Sequence, residues 1–466
     1  MLTDALTSAP AGLAEALALT DGVDDALVHG LARLDEQRAA ALGSLAAAFA
    51  GTPLADRVAE ATGKIIAGTV TDDHLVALAA ARTALLGAAH DALLTTLDAA
   101  LNRARDPWPA AAAAAGGAAS GSGTNPVSAH LLAGSRAWLR ELAIAGWRGV
   151  DHEVAAGGAQ TVRALVADPV ARRLGVLLDG FAAELRASAP VATVDRVPVR
   201  RWADLWARAL LLSQDNFPGS ERTPVTGRLL ILGVDLREHP TVFQAQAHGL
   251  LETPGGGVRL VRTAVAGAKV DTISGPSAWR LLGSFPVFRA VVAEHRAVEV
   301  TGMALTAAGD LIWDESHAAA GEPADPFATA RVRLAAATAS SAPPLERHPA
   351  GIAEPVLLEG YQAGEASFDL GGTVLAVDAD RLPAAGPLTP ALVGSSTACL
   401  GLLRWDGGRW AVQPLAVQAV VRKKPVTAYA GDWALGPTEA KAAKAEAAAG
   451  TAVEVLRERA GRLLRK

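Results

Sequence analysis

The chain has 466 residues, half of them hydrophobic, with 43 basic and 48 acidic side chains and a formal net charge of -5. Such a length supplies two to three domains with sizeable cores. The near-balanced charge lacks the basic excess of a dedicated nucleic-acid binder, although local basic patches stay open. A single cysteine, Cys399, excludes intramolecular disulfides, thiolate zinc clusters and iron–sulfur centres.

Alanine dominates, and arginine far outnumbers lysine. That is the imprint of a GC-rich bacterial genome and carries no functional information. The first residues, "MLTDALTSAPAGLAEALALTDG", have no positive n-region and meet an acid early, so they make a poor signal peptide. No run of about 18 apolar residues free of charge and helix breakers stands out as a membrane span. The expectation is a cytoplasmic protein.

Residues 1–105 read as a helical bundle. "DDALVHGLARLDEQRAAALGSLAAAF" places Leu27, Leu31, Leu34, Ala41, Leu42 and Leu45 at spacings of three and four. A second amphipathic run opens at Thr71, a predicted N-cap followed by acids. Residues 1–106 hold 7 basic and 14 acidic side chains, a net of -7. At 106–126, "DPWPAAAAAAGGAASGSGTNP" loses all periodic large apolar residues and reads as a flexible linker.

Helical periodicity resumes over 127–215. In "VRRWADLWARALLLSQ", Trp202, Leu205, Trp206, Ala209 and Leu210 share one arc, while Arg201, Asp204 and Arg208 fall on the other side. The tryptophan pair at i, i+4 reads as packed core.

From 216 to 436 the period changes from 3.6 towards 2, and nine strand candidates alternate with Gly-, Pro- and Asp-rich turns. "FQAQAH" sets Phe243, Ala245 and Ala247 on one face and Gln244, Gln246 and His248 on the other. That pattern predicts an antiparallel strand with one buried and one wet face. A helical insert is expected near 325–338, and another helix near Ser277–Leu282. Residues 437–466 close the chain as an amphipathic helix with a seam of Val453, Leu456, Ala460 and Leu463. The last thirty residues hold 7 basic and 4 acidic side chains, a net of +3. The fold class is therefore α+β multidomain. A helical N-terminal bundle and helical middle region precede an antiparallel β-rich module, barrel- or sandwich-like, and a C-terminal helix.

The search for chemistry yields few candidates. "ETPGGGVRLVR" has three glycines after a strand, but a strand follows them where a phosphate loop needs a helix N-terminus. A hairpin turn is predicted, with Arg259 and Arg262 beside it. "LLRWDGGRWAV" predicts a second hairpin around Gly407 and Gly408. Its tryptophans, Trp405 and Trp410, either pack across the strands or form a stacking platform, with Arg404 and Arg409 adding charge. These four are the candidate ligand-binding residues.

Asp235, Glu238 and His239, and likewise Asp314, Glu315 and His317, combine acids with histidine but lack metal-binding spacing. No metal or cofactor is expected. Cys399, in the apolar "SSTACLGLL", reads as a core residue. His295 reads as semi-buried, and no nucleophile elbow is present. The expectation leans away from an enzyme, towards a macromolecular interaction or assembly protein with protein partners. The alternatives are a β module binding a ligand or single-stranded nucleic acid, and a hydrolase or metalloenzyme with a non-local site.

Overall fold

The computed structural model describes residues 2–108, 126–168, 171–214, 222–239, 241–270 and 273–438, with scattered positions between 440 and 462. Ten helices come first: α1 (Leu2–Thr7), α2 (Leu13–His29), α3 (Glu36–Ala48), α4 (Ala55–Ile66), α5 (Asp72–Leu101), α6 (Pro126–Ala145), α7 (His152–Ala156), α8 (Ala159–Ala167), α9 (Arg172–Ser188) and α10 (Val199–Leu212). Of the stretch expected to be a linker, 109–125 lies outside the described residues. Its start is tied down: Asp106 donates its N–H to Ala339 O at 2.9 Å and pairs with Arg259 at 2.5 Å.

One apolar core joins both helical stretches. It runs from Val23, Leu27 and Leu42 through Leu139, Trp147 and Phe181 to Trp202 and Trp206. Trp147 meets Phe181 and Trp202 edge-on, with centroids 5.9 and 6.2 Å apart. Each fully buried large apolar side chain contributes roughly 1.5–3 kcal/mol. The predicted arc of α10 is the face buried there.

Helix α5 spans two cores. Thr71 caps it, accepting from His74 N at 3.4 Å, and Asp72 and Asp73 occupy its first turn as the helix dipole favours. Its first half packs in the helical core through Leu75, Leu78 and Ala81. Its second half, Ala89 to Leu97, packs on the β-rich part. Among the described helices, α5 alone has the length and mean hydropathy, 1.2, of a membrane span. Those contacts make it a core helix here. Mid-helix, Arg82 is fully buried against Asp24 of α2, with Nε–Oδ1 at 2.6 Å and Nη2–Oδ2 at 3.0 Å.

Two sheets follow. The first contains β1 (Arg222–Glu238), β2 (Val242–Glu252), β3 (Val258–Ala268), β4 (Arg296–Thr306), β5 (Leu311–Ile312) and β6 (Ala318–Pro323). Its order is β3-β2-β1-β4-β5, with β6 also on β4 and every pair antiparallel. The second contains β7 (Glu354–Glu359), β8 (Gln362–Ala363), β9 (Ser367–Asp369), β10 (Val374–Val377), β11 (Ser396–Asp406), β12 (Arg409–Val421) and β13 (Lys424–Tyr429). Its order is β7-β11-β12-β10-β9-β8, with β13 on β12.

The pair β10–β12 is parallel, the one departure from an otherwise antiparallel architecture among the described strands. The chain makes an excursion after β10, including α13 (Pro390–Val393), before entering β11. Such a crossover is what a parallel pair requires. Helix α11 (Pro286–Ala293) packs in the core of the first sheet. The insert forms α12 (Pro326–Arg333) and a 3₁₀ turn, while Gly275–Leu282 is a 3₁₀ helix.

The sheets meet through a shared cluster. Leu230, Leu232 and Leu250 of the first contact Leu400, Ala416 and Tyr429 of the second, with Phe327 of α12 among them. Gly233 permits the close approach, since a Cβ there would lie 2.7 Å from the Leu415 Cβ. The described positions beyond 440 are helical, and Ala442 packs against the core of the first sheet. The seam residues Val453, Leu456, Ala460 and Leu463 lie outside the described residues.

Candidate ligand-binding cleft

Both glycine-rich loops are hairpin turns. Gly256 has φ 82° between β2 and β3; Gly407 and Gly408 have φ 56° and 79° between β11 and β12. Positive φ at both central residues is the two-residue hairpin geometry that glycine makes accessible. Trp405 and Trp410 stand opposite each other, edge-to-face at 5.3 Å, and are only 8% and 5% exposed within the core of the second sheet. Trp410 and exposed Arg409 border a cavity of about 270 Å³. Arg404, next to Trp405 on the strand, leaves by the opposite face. The four candidate residues are therefore divided between two places.

Arg404 points into a much larger cleft, about 840 Å³, where the helical body meets both sheets. Helix α5 supplies His90 and Leu94, and the polar face of α10 supplies Arg200, Arg201, Asp204 and Arg208. The first sheet supplies Arg237, Gln246, His248 and Arg262. The 340–354 segment adds Ser340, Glu346, His348 and Glu354, the second sheet adds Arg404, and the 3₁₀ turn after β10 adds Arg381. With Arg105, eight arginines and three histidines line it, against four acids: Asp204, Asp310, Glu346 and Glu354.

The floor follows from β pairing. Gly233, His248 and Arg262 lie in register across β1, β2 and β3, with Asp235 opposite Gln246 and Arg237 opposite Gln244. Directly paired residues share a face, so these polar groups form one surface. The apolar face of the same strands carries Phe243, Ala245 and Val265. The face of "FQAQAH" expected to be wet is thus the cleft floor. His248 is only 4% exposed, because the second sheet and the helical body close over it.

Asp235 joins the sheets. Its Oδ1 accepts from Gln413 Nε2 at 2.7 Å. Its Oδ2 accepts from Arg404 Nη2 at 3.0 Å and Arg237 Nε at 2.9 Å. Arg404 Nε donates to Gln413 Oε1 at 2.6 Å, completing the cluster. Burial opposes ionisation of Asp235, but Arg237, Arg404 and Gln413 outweigh it and hold its carboxyl below the usual range. Burial lowers the Arg404 guanidinium to about 10, which leaves it charged at neutral pH.

Other cations are anchored by acids. Arg262 forks onto Asp310, and Arg105 onto Asp98. Burial works against the Arg262 charge, yet Asp310 and Glu346 hold its pKa above the ordinary value. Glu354 is likewise penalised by burial and kept low by Arg105 and Arg103. On α10, Arg201 pairs with Glu184 and Arg200 with Asp21.

Two imidazoles sit among these cations and are neutral at pH 7. Burial lowers His248 to about 3; Asp235 pulls upward, while Arg262, Arg404 and Arg237 push further down. His348 falls to about 4, by burial first, with Asp204 opposing and Arg82, Arg200 and Arg208 reinforcing. His348 Nδ1 accepts from Ala350 N at 3.0 Å, so its proton is on Nε2.

Among the described residues, three buried side-chain atoms of the cleft lining have no hydrogen-bond partner: His248 Nε2, Ser340 Oγ and Arg208 Nε. An unmatched buried polar atom costs about 1–3 kcal/mol. Other buried atoms are unpartnered elsewhere in the fold, but these three share one arginine-lined cavity, where a ligand can supply the partner.

The remaining sequence candidates have other partners. Glu315 accepts from Val287 N at 3.0 Å, Phe288 N at 3.3 Å and Trp313 Nε1 at 2.9 Å. Asp314 caps Ser316, and His317 bonds Thr301 O. Glu238 lies 3.5 Å from Lys269, and His239 bonds Thr241. His295 faces Asp432 at 2.9 Å, and burial pushes the Cys399 thiol up. No group of three or more His, Cys, Asp or Glu suited to a metal occurs among the described residues. No protein-family model matches the chain, and no curated protein or solved structure matches it.

Proposed function

We propose that this protein binds a small anionic ligand in the cleft between α10 and the floor of the first sheet. The observation that carries the reading is the lining itself: eight arginines and three histidines around about 840 Å³, with unpartnered polar atoms among them. That volume falls within the roughly 300–1,000 Å³ of small-molecule sites. Acids standing behind the guanidiniums fix their orientation, and fixed donors bind an anion with little ordering cost.

This reading keeps Arg404 from the sequence candidates and moves the ligand away from the Trp405–Trp410 pair. It takes precedence over the assembly role expected from composition because it rests on a specific cavity. Thermal unfolding in the presence of millimolar organic phosphates and carboxylates tests it. A ligand at 100 times its Kd stabilises by about 2.7 kcal/mol, a shift of several degrees in Tm. Arg262→Gln should abolish the shift. Failure of every anion in the panel to raise the Tm would refute the reading.

A further inference from the structure

The remaining donors specify the anion more narrowly, an inference that rests on the anion-binding reading above. In Arg237, Arg262 and Arg404 alike, Nε and Nη2 are engaged by protein acceptors. Nη1 makes no hydrogen bond among the described residues. The side-on fork that best matches a planar carboxylate is thus already occupied by the protein's own groups. What remains on the floor is a set of guanidinium ends from different strands, together with the buried, unpartnered His248 Nε2. Single donors offered from separate strands of one cleft suit a tetrahedral group with three acceptor oxygens better than a planar one that needs a paired fork.

The opposite wall repeats the provision. Arg208 on α10 has a buried Nε without a partner among the described residues, and Arg200, two turns before it and paired with Asp21, also lines the cleft. The cleft, about 840 Å³, is of small-molecule size and far larger than one phosphate fills. We propose that the ligand carries two separated anionic groups, a phosphoryl group seated against His248 and Arg262 and a second group held by the α10 arginines. His248, as its Nε2–H tautomer, donates to a phosphoryl oxygen.

Isothermal titration of the full chain at fixed ionic strength tests this with four probes. They are fructose 1,6-bisphosphate, fructose 6-phosphate, inorganic sulfate and citrate. The bisphosphate should bind at least about 30-fold more tightly than the monophosphate, with sulfate and citrate weaker still. His248→Gln and Arg262→Gln should each erase most of that preference. Arg208→Gln should do the same from the other wall, with folding checked by circular dichroism. Equal affinity for mono- and bisphosphate, or citrate matching the bisphosphate, would overturn the inference while leaving an anion site intact. Binding of none of the four would overturn the underlying reading as well.

Discussion

Two buried arginines serve different ends. In the helical body, Arg82 spends Nε and Nη2 on Asp24 and Arg200 O, while its buried Nη1 has no hydrogen-bond partner among the described residues and faces Asp204 at 3.9 Å. At the sheet junction, Arg404 makes one contact with Asp235, at 3.0 Å, its Nη1 makes no hydrogen bond among the described residues, and the nearby His248 Nε2 is buried without a partner. The first centre is shut away from solvent, with Arg82 fully buried and outside the cleft lining, and ties three helices together. The second is closed on the protein side and open on the cleft side. A buried charge cluster is therefore diagnostic only once its donors have been accounted for one by one.

The largest expected effect lies in the closed centre. Asp24→Ala leaves fully buried Arg82 without its two-point partner, with only Asp204 at 3.9 Å remaining as an acid partner among the described residues, and should cost about 3–5 kcal/mol in urea unfolding at neutral pH. Ligand cannot reach it, so added phosphate should recover none of the loss. Recovery by phosphate would remove the distinction between the two centres.

Asp235→Ala should cost less, about 2–4 kcal/mol, because Arg237 is half exposed and water can enter from the cleft. Here inorganic phosphate should restore part of the stability by supplying the missing anion. If phosphate restores neither variant, the floor is as closed as the helical body.

The closed centre and the open one differed also in how far they could be read beforehand. Period-3.6 runs placed α5 and α10, period 2 placed most strands, and glycine chemistry placed both hairpins. Each of these signals is local. The polar arc Arg201, Asp204 and Arg208 was visible as the outer side of α10, and the Gln246–His248 face as the wet side of β2. Neither pattern tells that the two surfaces face each other, because that depends on α5 crossing from one core to the next and on the register of three strands. Arg262 was noticed beside its hairpin, but its role comes from Asp310, 48 residues away. His90, His348 and Arg105 carried no local signal at all.

The pH dependence sharpens the same contrast. His248 has a folded pKa of about 3 against 6.5, and His348 about 4 against 6.5. Below pH 6.5 the unfolded chain takes up protons that the folded chain refuses, so stability falls with acidification until the folded values are reached. The slope should be up to about 1.4 kcal/mol per pH unit for each imidazole between pH 6 and 4. His248→Gln should flatten that segment of a stability–pH curve. An unaltered slope in His248→Gln would mean that His248 is protonated, and hydrated, in the folded cleft.

The smallest effect on folding should come from the rim. Arg201 is 64% exposed and pairs with Glu184, and a pair of that kind contributes about 0–1 kcal/mol. Arg201→Gln should thus barely move the urea midpoint. Its charge nevertheless stands at the mouth of a cleft whose inner cations are fixed, where it attracts an approaching anion over a Debye length of about 10 Å at 0.1 M salt. Stopped-flow association of a bisphosphate should slow by a few-fold at low salt, and the difference should vanish near 1 M. A change in dissociation rate instead would place Arg201 in contact with the bound ligand and extend the site from floor to rim.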